Sequence, residues 1–241
     1  GEKLSQKHIY EIGYLPEERG LYKKMKVGEQ SVYLAQLKGL SKTDATKRLK
    51  FWFEKFDIMP WWNKKVEELS KGMQQKIQFV TTILHEPKLL IFDEPFSGFD
   101  PINTQLLKDE ILHLKEKGST VIFSTHNMSS VEEVCDDIAL INLSKKVLDG
   151  SVESIRREFS KHLYEVVLQS EENPTEAIKS KVDVLESEML ERKNTYRFRI
   201  QQPHLNTNEL LSMLMQQGVV VEFKEILPSM NDIFIKTVKN S

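Results

Sequence analysis

The chain carries one cysteine, Cys135, in 241 residues. A single thiol excludes an internal disulfide framework and any multi-cysteine metal cluster, and it points to a reducing compartment, the cytosol. Long apolar runs are missing as well. None approaches the roughly 20 residues that a membrane-spanning helix needs, so the chain is not expected to cross a bilayer by itself. The first residues, Gly1-Glu2-Lys3-Leu4-Ser5-Gln6, lack the apolar segment of a secretory signal. An excess of one charge is also absent. With 34 Lys+Arg against 36 Asp+Glu the formal net charge is −2, which offers no electrostatic case for nucleic acid or an anionic membrane surface. There is no internal repeat and no low-complexity segment.

What is present is a patterned, soluble composition at a length suited to one large domain or one medium domain plus a small one. His8 to Pro16 reads as a strand closed by proline, with almost nothing ahead of it to pair with. From Val27 to Phe56 the spacing is helical, and Ser41 is placed to cap the second helix of that stretch. Ser70 opens a helix running to about His85, and Lys88 to Phe92 is a short apolar run of the kind that forms a buried strand. A helix from Pro101 to Glu116 has proline at its first position, Gly118 ends it, and Thr120 to Ser124 is the next strand. A helical piece from Ser129 to Val134 and strands at Ile138–Leu143 and Lys146–Leu148 follow. The strand–helix rhythm predicts a parallel sheet flanked by helices. Beyond about Phe159 the order becomes strand, helix, strand, strand, helix, strand, ending at Phe223, with a short helix from Ser229. That order predicts a ferredoxin-like α+β unit. The domain boundary is placed near residue 158.

Four segments carry chemistry. Leu89-Leu90-Ile91-Phe92-Asp93-Glu94-Pro95 delivers two adjacent carboxylates to the C-terminal end of a buried strand, where open α/β sheets bind ligands. One carboxylate there can hold magnesium through water while its neighbour orients an attacking water. The plainer account is a strand ending in two solvated acids. Leu69 to Lys76 places Ser70 as a helix cap and Gly72 where backbone can approach an anion; an ordinary capped helix would look the same. His126 ends the next strand, so its imidazole is expected at the sheet edge that holds Asp93 and Glu94, where a neutral ring could meet a γ-phosphate and the attacking water. The other histidines read as bystanders. Ser97-Gly98-Phe99-Asp100 is, by itself, a turn and a helix cap.

Taken together, in this order and on these elements, the segments resemble the nucleotide-binding subunit of an ATP-binding cassette (ABC) transporter. Leu69 to Lys76 is similar to the family's signature motif, Leu89 to Glu94 to its Walker B strand, Ser97 to Asp100 to its D-loop, and His126 to its switch histidine. Gly13-Tyr14-Leu15-Pro16-Glu17 is similar to the segment entering the Q-loop. The resemblance covers residues 9 to about 150 and implies a partial P-loop NTPase: a parallel sheet with a helical subdomain over about 27–85 inside a domain of residues 1–158, plus an accessory domain over 159–241. It implies ATP and Mg2+ as cofactors. It implies Glu94 as general base, His126 as γ-phosphate sensor, and Asp93 and Glu17 on the metal. It further implies Ser70, Gly72, Gln74 and Asp100 as nucleotide contacts, with Ser70 and Gly72 serving the other protomer of a homodimer. The implied partner is a transmembrane permease subunit, as in exporter-type systems, and the implied location is the inner face of the cell membrane.

Three departures stand out. Glu17 replaces the family's usual glutamine, and Lys71 and Met73 replace glycine and glutamine in the signature. No Gly-x-x-x-x-Gly-Lys-Ser/Thr occurs, and none of the ten glycines is followed by lysine. The phosphate-cradling loop is therefore missing from this sequence, and the expectation is a truncated or fragmentary ATPase, inactive alone. Five aromatic residues, Trp52, Phe53, Phe56, Trp61 and Trp62, crowd the helical part. The first three share a helical face and are expected in the core; the tryptophan pair after Pro60 is expected to be exposed as an anchor for a partner helix. Two alternative functions fit less well. A soluble ABC ATPase of ribosomes or DNA calls for tandem cassettes, a coiled coil or a basic surface, and a regulatory dimerisation module would depend on the C-terminal domain alone.

Overall fold

A computed structural model of the chain describes residue 3 and residues 5–18, 20–202 and 204–239, with Gln6 described by its backbone alone. Packing divides it into two compact units, one up to Asn127 and one from Met128.

The first unit contains α1 (Gln6–Ile9), β1 (Ile12–Leu15), α2 (Val27–Leu37), α3 (Lys42–Lys55), α4 (Lys71–Ile83), β2 (Leu89–Asp93), α5 (Pro101–Glu116) and β3 (Thr120–Ser124). The strands form a parallel sheet in the order β1-β2-β3, with Leu15, Phe92 and Phe123 in register. The apolar run that predicts a strand is thus the central one. Its Leu90 and Phe92 are fully buried, and Phe92 meets Phe79 of α4 at a ring distance of 5.6 Å. Phe79 in turn meets Phe56 at 5.9 Å, so one aromatic chain links the sheet to the helical part. β1 passes so close to α4 that a Cβ on Gly13 would lie 2.7 Å from the Thr82 carbonyl oxygen. On the sheet's other face Tyr14, Ile91 and Ile122 form a register row whose outer members are exposed.

Two expectations are corrected here. The segment from His8 does not run as a strand: residues 6–9 make a helical turn after Ser5, and extended pairing begins only at Ile12, whose neighbour Glu11 accepts from Leu89 N–H at 3.1 Å. Trp61 and Trp62 are not an exposed pair. The chain makes a 3-10 turn over Met59–Trp61 that folds Trp62 onto α2, against Gly28 and 5.3 Å from the Phe53 ring. Phe53 and Phe56 are buried, as their shared face predicts, while Trp52 is half-buried and lies beneath the Lys55 ammonium.

The second unit contains α6 (Met128–Val134), the antiparallel hairpin β4 (Asp137–Asn142) and β5 (Lys145–Ser151), and α7 (Val152–Glu158). There follow β6 (Leu163–Gln169), α8 (Thr175–Lys179), β7 (Asp183–Met189), β8 (Thr195–Gln201), α9 (Thr207–Met215), β9 (Val219–Ile226) and α10 (Met230–Lys239). The last four strands form an antiparallel sheet in the order β7-β8-β6-β9. Two βαβ halves that interleave in this way are the ferredoxin-like arrangement. Tyr164, Val166 and Leu168 of β6 and Tyr196, Phe198 and Ile200 of β8 supply its core, against Ile178 of α8 and Leu210 and Leu214 of α9. The alternation of the two strands dictates this, since every second residue faces the helices. A smaller core joins Val131, Val152 and Ile155 to Met230 and Ile233 of α10. Because the chain returns after β9 to cover that core, α6, the hairpin and α7 group by packing with the C-terminal residues.

Candidate functional site

The parallel register brings the ends of β2 and β3 level, with Asp93 opposite Ser124. The Ser124 hydroxyl donates to Asp93 Oδ1, which fixes that carboxylate at the sheet edge. The next residue leaves the strand sharply. Glu94 takes φ +46°, a left-handed conformation that is unfavourable for a residue with a Cβ, and its N–H donates to Ser124 O at 3.1 Å. The turn sends the Glu94 side chain back across the end of β3. His126 N–H donates to Glu94 Oε1 at 2.9 Å, and His126 Nδ1 lies 2.7 Å from the same oxygen. The Thr125 hydroxyl donates to Oε2 at 3.3 Å and accepts from Asn127 N–H at 3.1 Å.

Both carboxylate oxygens are therefore held. An ionised carboxylate only accepts, so the close contact requires the proton on Nδ1 and leaves Nε2 as the outward nitrogen. The Glu94 side chain is 17% exposed and the His126 side chain 86%, so the acid is sheltered while the imidazole faces solvent.

Glu17 lies two residues beyond β1, whose end is in register with those of β2 and β3, and it is exposed. Among the described residues no hydrogen bond or ion pair joins it to Asp93 or Glu94. Its loop is instead gripped from below. Gln78 of α4 donates through Nε2 to Pro16 O and to Glu18 O, both at 3.4 Å. Three residues earlier Gln75 Nε2 donates to Pro95 O at 3.4 Å.

The start of α4 forms a second group. Ser70 caps the helix, its hydroxyl accepting from Met73 N–H at 3.3 Å. Gly72 sits where a Cβ would come 3.3 Å from Gly98 O, so the signature-like turn packs directly on the turn after the acids. Gln74 turns inward, donating to Leu69 O at 2.9 Å and Val66 O at 3.3 Å, and its amide thereby braces the approach to the helix. Asp100 caps α5: Oδ1 accepts from Asn103 N–H at 3.0 Å, and the Asn103 side chain donates to Oδ2. Those bonds hold the Asp100 carboxyl below its ordinary range. Burial pushes the Lys76 ammonium down, opposed by the charges of Asp100 and Asp57.

Of the residues singled out from sequence, Asp93, Glu94 and His126 meet. Gly72 lies beside the 97–100 turn and Ser70 caps the helix that carries it, Glu17 stands apart, and Gln74 and Asp100 use their polar atoms within the fold. Sequence reasoning passed over Thr125, Gln75 and Gln78, whose partners become visible only when strands and helix are assembled. Among the described residues no three His, Cys, Asp or Glu side chains gather into a metal cluster. Asp93 and the Ser124 hydroxyl are nonetheless hard oxygen donors of the kind magnesium takes, and magnesium sites with one or two protein ligands keep their remaining positions for water and phosphate. The donor set fits.

Comparison with known proteins gives concordant results. Residues 2–97 match the family described as ABC transporter, and residues 150–238 match the family described as ATP-binding protein DrrA1-3-like, C-terminal domain. An uncharacterized ABC transporter ATP-binding protein of Bacillus subtilis, YhaQ, is 44% identical over 227 residues, covering 94% of this chain and 74% of that protein. An uncharacterized ABC transporter ATP-binding protein of Alkalihalophilus pseudofirmus is 39% identical over 238 residues, covering 99% of this chain and 87% of its own length. A solved structure described as the ATP binding subunit of an ABC transporter superposes with a TM-score of 0.58 at 31% identity, over 62% of each chain.

Proposed function

Because the chain belongs to the ATP-binding proteins of ABC transporters, we propose that it is the part of such a subunit that activates water for ATP hydrolysis, coupled to transport through a separate transmembrane permease. The single observation that carries this reading is the Glu94 carboxylate, held on both oxygens at the ends of two parallel strands.

In this reading Glu94 is the general base. Its Oε1 is committed to His126, and Oε2, with one hydrogen bond at 3.3 Å, is the oxygen that takes the proton of the attacking water. His126 keeps the carboxylate oriented through Nδ1–H, and its outward Nε2 would donate to the terminal phosphate with the ring as the imidazolium, in which both nitrogens carry protons. Asp93 would hold magnesium, with Glu17 on the loop after β1 as the second candidate ligand, and a bound ion would supply charge neutralisation at the phosphates. Ser70 and Gly72 face the nucleotide of a second copy, so the working form is a homodimer with ATP between its halves, with Gln74 and Asp100 at the edge of that interface. The subunit works on the cytoplasmic face of the cell membrane, bound to the permease. Residues 1–158 are assigned to the ATPase portion and 159–241 to an accessory domain.

The sequence contains no Gly-x-x-x-x-Gly-Lys-Ser/Thr. A nucleotide would lack its backbone cradle and phosphate lysine here, so these 241 residues alone are proposed to be catalytically silent. Mixing the chain with labelled ATP and magnesium tests this, since tight binding or turnover by the isolated polypeptide refutes it. In the full-length protein Glu94→Gln should retain nucleotide binding and lose turnover by about 100-fold or more. Wild-type turnover in that variant would remove Glu94 from the role.

A further inference from the structure

A helix face buried against loops is normally apolar, because an amide taken from water costs free energy unless it finds a partner. α4 breaks that pattern. Gln75, Gln78, Thr81 and Thr82 are all between 6% and 8% exposed. The two threonine hydroxyls donate back to Gln78 O, at 3.0 and 2.8 Å, and so are satisfied mainly within the helix. The two glutamines are different: each reaches out of α4 to loop carbonyls. Gln78 binds Pro16 O and Glu18 O, the carbonyls on either side of Glu17. Gln75 binds Pro95 O, next to Glu94, and its Oε1 lies 3.5 Å from where a Cβ of Gly98 would be. With Gly72 against Gly98 O and the Thr82 hydroxyl 3.5 Å from Tyr14 O, one face of α4 runs from the turn after the acids to the end of β1.

We propose that Gln75 and Gln78 are positioning residues: α4 is a ruler whose two buried amides set the loop of Glu17 and the turn of Glu94 at fixed distances from its own Ser70-capped end. A shift of that end, where a nucleotide of the second copy would press, then reaches both acids through one rigid element. The chemical roles of the two acids rest on the ATPase reading above; their placement by α4 does not.

Limited digestion of the 241-residue chain with a glutamate-specific protease, read by mass spectrometry, tests the placement without nucleotide. Gln78→Leu and the similarly sized Gln78→Met, neither of which can donate, should each raise cleavage after Glu17 and Glu18 about tenfold, the factor for losing roughly one net hydrogen bond when cleavage follows the open population. Gln75→Leu should leave that site unchanged and speed amide exchange at Ser97, whose N–H donates to Glu94 O. Wild-type cleavage in Gln78→Leu and Gln78→Met would overturn the proposal, as would equal increases at glutamates throughout the unit, which would mean general loosening. In the full-length ATPase, Gln78→Leu should lower kcat about tenfold with KM for ATP unchanged; an unchanged kcat would overturn the link to catalysis. Since the digestion uses no ATP, failure of the ATPase reading and failure of the placement are separate results.

Discussion

His126 Nδ1 and Glu94 Oε1, 32 residues apart in the chain, lie 2.7 Å apart because two parallel strands end level and a left-handed turn at Glu94 folds the acid back over its neighbour. Neither the strand register nor the turn alone would make the contact. With the imidazole removed, Oε1 keeps its bond from His126 N–H but loses the orienting ring. His126→Ala should therefore cut turnover of the full-length protein about 100-fold or more while nucleotide affinity changes little, as steady-state kinetics and equilibrium binding would report. Comparable loss of affinity would mean that the ring acts in binding.

Asp100 offers a test of cap against ligand. Its carboxylate accepts both the backbone and the side-chain bonds of Asn103. Asp100→Ala should lower the melting temperature and Asp100→Asn should largely keep it, because asparagine caps about as well. If both variants melt alike while both lose activity, the group is a ligand first.

At Gly28 two effects oppose one another. Alanine in place of a helical glycine gains about 1 kcal/mol of helix propensity. A Cβ there, however, would fall 2.3 to 2.6 Å from three atoms of the Trp62 ring. Overpacking of that kind costs about 1–3 kcal/mol, and Trp62 is itself wedged against Phe53, so the clash should win. Urea denaturation of Gly28→Ala, followed by tryptophan emission, should show net destabilisation; a gain would mean that the ring moves freely.

Acid sensitivity should trace in part to His85. Burial pushes its pKa from the ordinary 6.5 down to about 4, while its Nε2 lies 3.2 Å from Ile12 O. The folded state thus prefers the neutral ring, and the unfolded chain takes up the proton first. Its contribution is fully present above pH 6.5 and is lost as the pH falls toward about 4. Denaturation midpoints compared at pH 7.5 and 5 should fall for the wild type and fall less for His85→Gln. Equal slopes would shift the cause to another group.

What could be read in advance was what local chemistry signals. α5 and β3 have the limits that Pro101, Gly118 and the run of β-branched residues indicate, and the strand order of the ferredoxin-like unit follows from its sequence of elements. The segment around Ile9 misleads because a short apolar pattern suits either a strand or a helical turn, and only pairing with β2 chooses. Trp62 misleads because a breaker-rich stretch can still fold inward when a glycine on another helix leaves room. The helix α7 had no forecast, although Ser151 caps it by accepting from Ser154 N–H at 3.1 Å. Within the site, the adjacent acids are legible as a pair. The grip of Thr125 and the amides of α4 are not, since a polar residue on a helix ordinarily signals water.

The open face of the C-terminal sheet has a further consequence. Across four strands Glu186, Arg199, Glu165 and Lys224 stand opposite one another in turn, alternating in sign. Sliding β9 by two residues, the least shift that keeps the same side chains inward, would set either Glu222 or Ile226 against Glu165. Acid would then confront acid, or oil would confront charge, so misalignment carries its own penalty and the strand has one comfortable berth.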